Sequence, residues 1–207
     1  MKLYFKYGAM NSGKTMELLR TAYNYEENGF KTFVIKPICD TKGDDFVISR
    51  VGYKRKVDYS LKEDELLSNI IKDDIDVVLV DEAEFLTREQ VDDLLYIAKF
   101  KNIDVFCYGL KSDFKTNAFP GSVRLFELAD KIEEVSTLCK CGDKAMFNLR
   151  MVNGVPIFTG DQVLIDGFYN TTYMPVCARC YLKAKEHYED NSYNNDNSNK
   201  NVRVRKG

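Results

Sequence analysis

The chain has one histidine among 207 residues, no excess of basic side chains, and no apolar run approaching the length of a membrane span. Each shortage removes a class of function. A solitary His187 leaves nothing for a histidine relay and reads as a surface residue near a helix C-terminus. A formal net charge of -2 argues against a general nucleic-acid or membrane surface, both of which demand a basic excess, so neither nucleic acid nor membrane is expected as a partner. Small anions in a local positive pocket remain compatible with that balance. No signal segment is read at Met1-Lys2-Leu3, which leads directly into a strand-forming run, and a cytoplasmic setting is expected. In a reducing compartment six cysteines are not a disulfide framework, and their spacing is better read for metal.

What the chain does have begins at its third residue. Leu3-Tyr4-Phe5-Lys6-Tyr7 is an apolar strand running into Gly8-Ala9-Met10-Asn11-Ser12-Gly13-Lys14-Thr15, the P-loop spacing, and Met16-Glu17-Leu18-Leu19-Arg20 continues as an amphipathic helix. The glycines let the backbone wrap a polyphosphate, and the amides opening the helix point at it where the dipole adds positive charge. Lys14 supplies a point charge to the β- and γ-phosphates and the Thr15 hydroxyl a ligand to Mg²⁺.

Strands and helices then alternate. The pattern predicts a helix from Lys14 to about Glu27, ended near Gly29, and a strand over Lys31 to Lys36 stopped by Pro37. After a polar loop through Asp40 to Asp45, Ser60 is placed to cap a short helix reaching Ile71. Asp76 to Val80 is an apolar strand, Thr87-Arg88-Glu89-Gln90 has capping-box spacing for a helix to about Lys101, and Ile103 to Leu110 and Lys131 to Val135 read as strands. The alternation implies an α/β fold, a mainly parallel sheet covered on both faces, with ligand sites at the carboxyl ends of its strands. After Ser136 the style changes to cysteine pairs flanking short β-like runs, Ala145 to Val152 and Val155 to Phe158. Residues 1–136 are therefore expected to form the ATP-binding domain and 137–189 a small zinc-binding lobe. The tail over 190–207, Asn/Ser/Asp/Lys-rich and nearly devoid of apolar side chains, is expected to be disordered.

Two constellations carry chemistry beyond the P-loop. Val77-Val78-Leu79-Val80-Asp81-Glu82 ends an apolar strand in two carboxylates: Asp81 holds Mg²⁺ opposite Thr15, and Glu82 is free to take a proton from an attacking hydroxyl or to orient a water. Cys139-Lys140-Cys141-Gly142 and Cys177-Ala178-Arg179-Cys180 are two knuckles about 35 residues apart, able to offer four thiolates to Zn²⁺. Four sulfurs leave no open position for substrate, so the expected role is structural. Cys39 and Cys107 sit beside or within apolar strands and read as buried hydrophobes. These features suit a kinase, but also an ATPase with a zinc-ribbon nucleic-acid lobe or a nucleotide-dependent interaction module; charge balance and size weigh against the ATPase.

The P-loop, Asp81-Glu82-Ala83-Glu84-Phe85 and the paired knuckles, in this order, resemble the zinc-containing, P-loop type of thymidine kinase. The similarity runs from about Leu3 to about Tyr181 and extends to Ser49-Arg50-Val51-Gly52, Cys107-Tyr108-Gly109-Leu110, Asp113-Phe114, and Gln162-Val163-Leu164-Ile165 leading to Tyr173. The resemblance implies transfer of the ATP γ-phosphoryl to the 5′-hydroxyl of thymidine or deoxyuridine, in salvage for DNA synthesis, with Glu82 as general base. It further implies a lasso loop over about Val163 to Tyr173, a nucleoside pocket lined by Met10, Phe85, Phe114, Leu164, Ile165 and Tyr173, a homotetramer, and feedback by dTTP. Three departures from the family pattern stand out: Glu84 falls where the usual motif has Gln, Asp40-Thr41-Lys42 replaces D-x-R, and the lasso over Asp166 to Thr172 is about two residues longer.

Overall fold

A computed structural model describes residues 1–38, 45–162 and 170–203, the last thirteen of these as backbone only. Cys39, the Asp40-Thr41-Lys42 departure, Leu164, Ile165 and most of the lasso lie outside the described residues.

Strand β1 (Leu3–Tyr7) passes through the P-loop into helix α1 (Lys14–Glu27), and β2 (Thr32–Pro37) follows. A short antiparallel hairpin, β3 (Phe46–Ile48) and β4 (Lys54–Lys56), precedes β5 (Tyr59–Leu61). Then come β6 (Val77–Val80), α2 (Arg88–Phe100), β7 (Asp104–Gly109), α3 (Pro120–Leu128) and β8 (Lys131–Glu134). Six strands form one parallel sheet in the order β5-β2-β6-β7-β1-β8. The strand carrying Asp81 therefore lies two positions from the P-loop strand, with β7 between them.

Side chains alternate faces along each strand, and this divides the core in two. Leu3, Phe5, Val78, Val80, Val105 and Cys107 face α2 and α3 through Leu94, Ile97 and Leu125, whereas Val77, Leu79, Phe106 and Tyr108 face Leu18 and Ala22 of α1. Burial of all four β6 residues explains why that strand reads as an unbroken apolar run. At α2 the expected capping box forms: Thr87 Oγ1 accepts from the Gln90 N–H at 3.2 Å, and Gln90 Oε1 accepts from the Thr87 N–H at 3.0 Å.

The helix expected from Ser60 to Ile71 does not form. Tyr59–Leu61 instead pairs with Ile35–Pro37 as the edge of the sheet, and only a single 3₁₀ turn, Leu67–Asn69, follows. Side chains take the place of helical hydrogen bonds in between: Gln90 Nε2 donates to the carbonyls of Lys62 and Glu65 at 2.7 and 3.1 Å, and Glu65 Oε2 accepts from the Lys62 N–H and the Tyr59 hydroxyl. Helix α3 had no sequence assignment, although Pro120 at its first position is a favourable start.

The smaller lobe is a three-stranded antiparallel sheet, β10-β9-β11, of β9 (Phe147–Val152), β10 (Val155–Ile157) and β11 (Thr171–Val176), followed by α4 (Ala178–Arg203). Leu149 and Val176 pack with Cys139, Ala145, Cys177 and Tyr181 into a separate small core. Helical backbone continues past Asp190 to Arg203. His187 lies exposed within this helix. Among the described residues no helix is long and apolar enough to cross a membrane.

Candidate active site

The P-loop leaves β1 at its carboxyl end and enters α1 through Gly13, whose φ of 89° is the left-handed conformation that suits glycine best. Lys14 folds back over the loop, Nζ donating to the carbonyls of Gly8 and Ala9 at 3.1 and 2.9 Å and to Ser12 Oγ at 3.4 Å. Burial depresses its pKa, while Glu84 and Asp81 oppose that shift. The ammonium thus sits in an acidic, partly buried cleft with carbonyl partners that an arriving phosphate can replace.

Across the cleft, β6 delivers Asp81 so that its Oδ2 lies 3.4 Å from Thr15 Oγ1. The pairing predicted from the two motifs therefore forms, even though another strand separates their parent strands. Burial, reinforced by Glu82, pushes the Asp81 carboxyl up to about 6. Glu82 follows at φ 52°, a left-handed conformation that residues with a side chain seldom adopt. Glu82 is solvent-exposed, and partial desolvation where it lines the cleft raises its pKa above the ordinary glutamate value, with Lys36 opposing the shift. Glu84, buried and pushed up to about 7 by desolvation and then by Glu82, accepts from the Leu110 N–H at 3.0 Å and so ties the turn over Ala83–Phe85 to the end of β7.

The resulting cleft, about 480 Å³, is lined by the P-loop, Asp81, Glu82, Glu84, the end of β7 and the hairpin tip from Ile48 to Val51. Its volume and mixed polar lining suit a nucleotide polyphosphate. Ser49 and Arg50 matched the family motif in sequence, but only the fold brings them opposite the P-loop.

Of the residues expected around the nucleoside, Met10 lies in the P-loop and its N–H donates to Asn148 Oδ1 at 2.8 Å. Phe114 and Tyr173 share one partner, Arg150, described below. Phe85 packs edge-to-face against Phe119 with ring centroids 5.4 Å apart. Phe119, Asn148 and Arg150 were missed by the sequence reading. The signal for the last two was present in Phe147-Asn148-Leu149-Arg150-Met151: polar side chains alternating along a strand ordinarily mark a solvated face, but Asn148 and Arg150 are 4% and 0% exposed. Both faces of β9 are therefore covered, one by the small lobe's core and the other by the larger domain's site.

The two knuckles converge. The Sγ atoms of Cys139, Cys141, Cys177 and Cys180 all lie within 4.8 Å of one another, and those of Cys141 and Cys177 are 3.6 Å apart. Tetrahedral zinc with Zn–S bonds of about 2.3 Å requires sulfurs about 3.8 Å apart, so the donor set fits. The Cys180 N–H points at Cys177 Sγ from 3.5 Å. Hydrogen bonding from the Cys141 backbone is the main influence pulling Cys139 down to about 6, whereas the neighbouring thiols, Cys141 foremost, push Cys180 up to about 12. One thiolate opposes the next in this cluster, and a divalent cation would remove the opposition. Cys107, as expected, is a buried strand residue remote from this set.

Comparison with known proteins gives the same answer along most of the chain. The thymidine kinase family model matches residues 1–181. A thymidine kinase of Streptococcus pyogenes serotype M3 is 42% identical over 185 residues, spanning 87% of this chain and 97% of that protein. A thymidine kinase of Streptococcus gordonii is 42% identical over 187 residues, spanning 88% of this chain and 96% of that protein.

Proposed function

The chain belongs to the thymidine kinase family, whose members are ATP-dependent phosphotransferases, and from that premise we propose a division of labour among its residues. The reaction is transfer of the ATP γ-phosphoryl to the 5′-hydroxyl of thymidine or deoxyuridine. Residues Gly8 to Thr15 hold the polyphosphate, Lys14 exchanging its carbonyl partners for the β- and γ-oxygens. Thr15 and Asp81 would hold Mg²⁺, which when bound neutralises charge on those oxygens. Glu82 accepts the 5′-hydroxyl proton as the new O–P bond forms and the bond to the β-phosphate oxygen breaks, releasing ADP. A carboxylate whose pKa is raised by partial desolvation is a stronger base than one in water, which suits this role. Met10, Phe85, Phe114, Tyr173, Leu164 and Ile165 line the nucleoside, where a flat pyrimidine finds aromatic and apolar surfaces.

The observation that carries this reading is the approach of Asp81 to Thr15 at 3.4 Å with Glu82 turned out of the helical and strand regions in the next position. Homotetrameric assembly, feedback by dTTP and a cytoplasmic setting are part of the same proposal, inherited from the family. The four cysteines form a structural zinc site in it. The test is ADP formation with Mg²⁺-ATP and thymidine, deoxyuridine, deoxycytidine, deoxyguanosine or no acceptor. Turnover confined to thymidine and deoxyuridine supports the reading, whereas acceptor-independent turnover rejects it.

A further inference from the structure

Arg150 is the largest fully buried side chain among the described residues. Taking a guanidinium out of water is costly unless its donors find partners, and here each of its three nitrogens donates a hydrogen bond, without an ion pair to any described carboxylate. Nε donates to the Tyr173 hydroxyl at 2.9 Å, Nη1 to the Asp161 carbonyl at 2.9 Å and Nη2 to the Gln162 carbonyl at 3.1 Å. The guanidinium carbon lies over the Phe114 ring, 3.5 Å from its centroid, so the cation also meets the ring's negative face.

These partners come from three separated stretches: the loop after β7, the start of β11, and the two residues that lead into the lasso. Two further bonds close the assembly. Lys115 Nζ donates to the Gly160 carbonyl at 2.9 Å, and the Tyr181 hydroxyl donates to the Phe114 carbonyl at 2.7 Å. Phe114 is thus gripped through its ring by Arg150 and through its backbone by Tyr181. A lysine could not do the same, since a point charge lacks the fixed planar fork that meets three acceptors while stacking on a ring.

We propose that Arg150 is the positioning residue of the nucleoside pocket, fixing Phe114, Tyr173 and the lasso's entry stem as one unit without itself touching substrate. The inference rests on the assignment of Phe114 and Tyr173 to that pocket. It separates the two substrates, because none of these partners belongs to the P-loop, Asp81 or Glu82.

The test uses full-length Arg150→Lys and Arg150→Met proteins, with thymidine and ATP varied separately and zinc content measured on each preparation. The expected result is a thymidine KM at least about tenfold higher, equivalent to about 1.4 kcal/mol, with ATP KM and zinc content unchanged and kcat within about threefold. Arg150→Lys should be the milder, since it keeps the cation over Phe114. If Arg150→Met does not fold, Arg150→Lys alone decides the outcome. A Tyr173→Phe change tests the hydroxyl link: its effect on thymidine KM should shrink when combined with Arg150→Lys, while full additivity overturns the proposed coupling. An unchanged thymidine KM in an otherwise active protein, or parallel loss of ATP affinity and zinc, overturns the inference and leaves the kinase reading standing. Absence of thymidine phosphorylation by the unaltered chain would instead remove the premise.

Discussion

Glu82 bears two local costs, a carboxylate partly desolvated where it lines the cleft although the residue stays solvent-exposed, and a left-handed backbone, and the turn around it holds both in place. Glu82→Gln keeps the shape while removing the proton acceptor. It should lower kcat by about two orders of magnitude or more with little change in substrate KM, and near-normal turnover in steady-state assays would reject the base assignment. Glu84 supports a different prediction. Its folded pKa stands near 7 against an ordinary 4.5. The folded state therefore binds this proton more tightly than the unfolded chain, so its contribution to stability is complete below about 4.5 and is lost as pH rises through about 7. Glu84→Gln, which keeps the shape but removes the titrating group, should narrow the difference in unfolding temperature between pH 5 and pH 8 and raise stability at pH 8. Parallel pH profiles for the two proteins would show that Glu84 does not titrate as described.

At the scale of the element, the short turn over Ala83–Phe85 is held by its neighbours more than by its own hydrogen bonds. Its floor is Gly121 in the first turn of α3, where an added Cβ would lie 2.7 Å from the carbonyls of Ala83 and Leu86 and 2.8 Å from that of Glu84. No side chain fits against three backbone oxygens. Gly121→Ala should displace the turn carrying Glu82 and reduce kcat at least about tenfold, a strain effect of the size that overpacking produces. Full activity in that variant would mean the turn yields without moving Glu82. Thr87→Ala, which removes the cap of α2, should cost about 1 kcal/mol in chemical denaturation and leave catalysis nearly intact.

The whole molecule joins a larger parallel sheet to a lobe with a much smaller core, and in the proposed reading zinc held by the cysteine cluster would compensate for the area that lobe cannot bury. Elemental analysis should find about one zinc per chain. Because Tyr181, adjacent to Cys180, supports Phe114 from the lobe side, Cys177→Ser should abolish zinc retention and weaken thymidine binding more than ATP binding. Equal loss of both affinities in calorimetric titration would contradict that division. Sedimentation analysis tests the proposed tetramer, and a lasting monomer would count against it.

The amino-acid sequence by itself determined the features set by short spacings. The P-loop, the acidic end of β6, the capping box at Thr87 and the two cysteine knuckles each depend on a few consecutive residues, and each has the expected form. Where the deciding partner is remote, local pattern failed. The stretch from Ser60 to Ile71 has helix-like composition, but Gln90 from α2 and the open edge of β2 satisfy its backbone differently. Arg150 and Asn148 looked like a solvated strand face because only the docking of β9 against the larger domain, and of Phe114, Tyr173 and the lasso stem around Arg150, makes that face an interior. Chemistry that depends on neighbours in sequence is written locally. The setting of Arg150 depends on which distant polar groups and rings a buried cation meets, and only tertiary structure decides that.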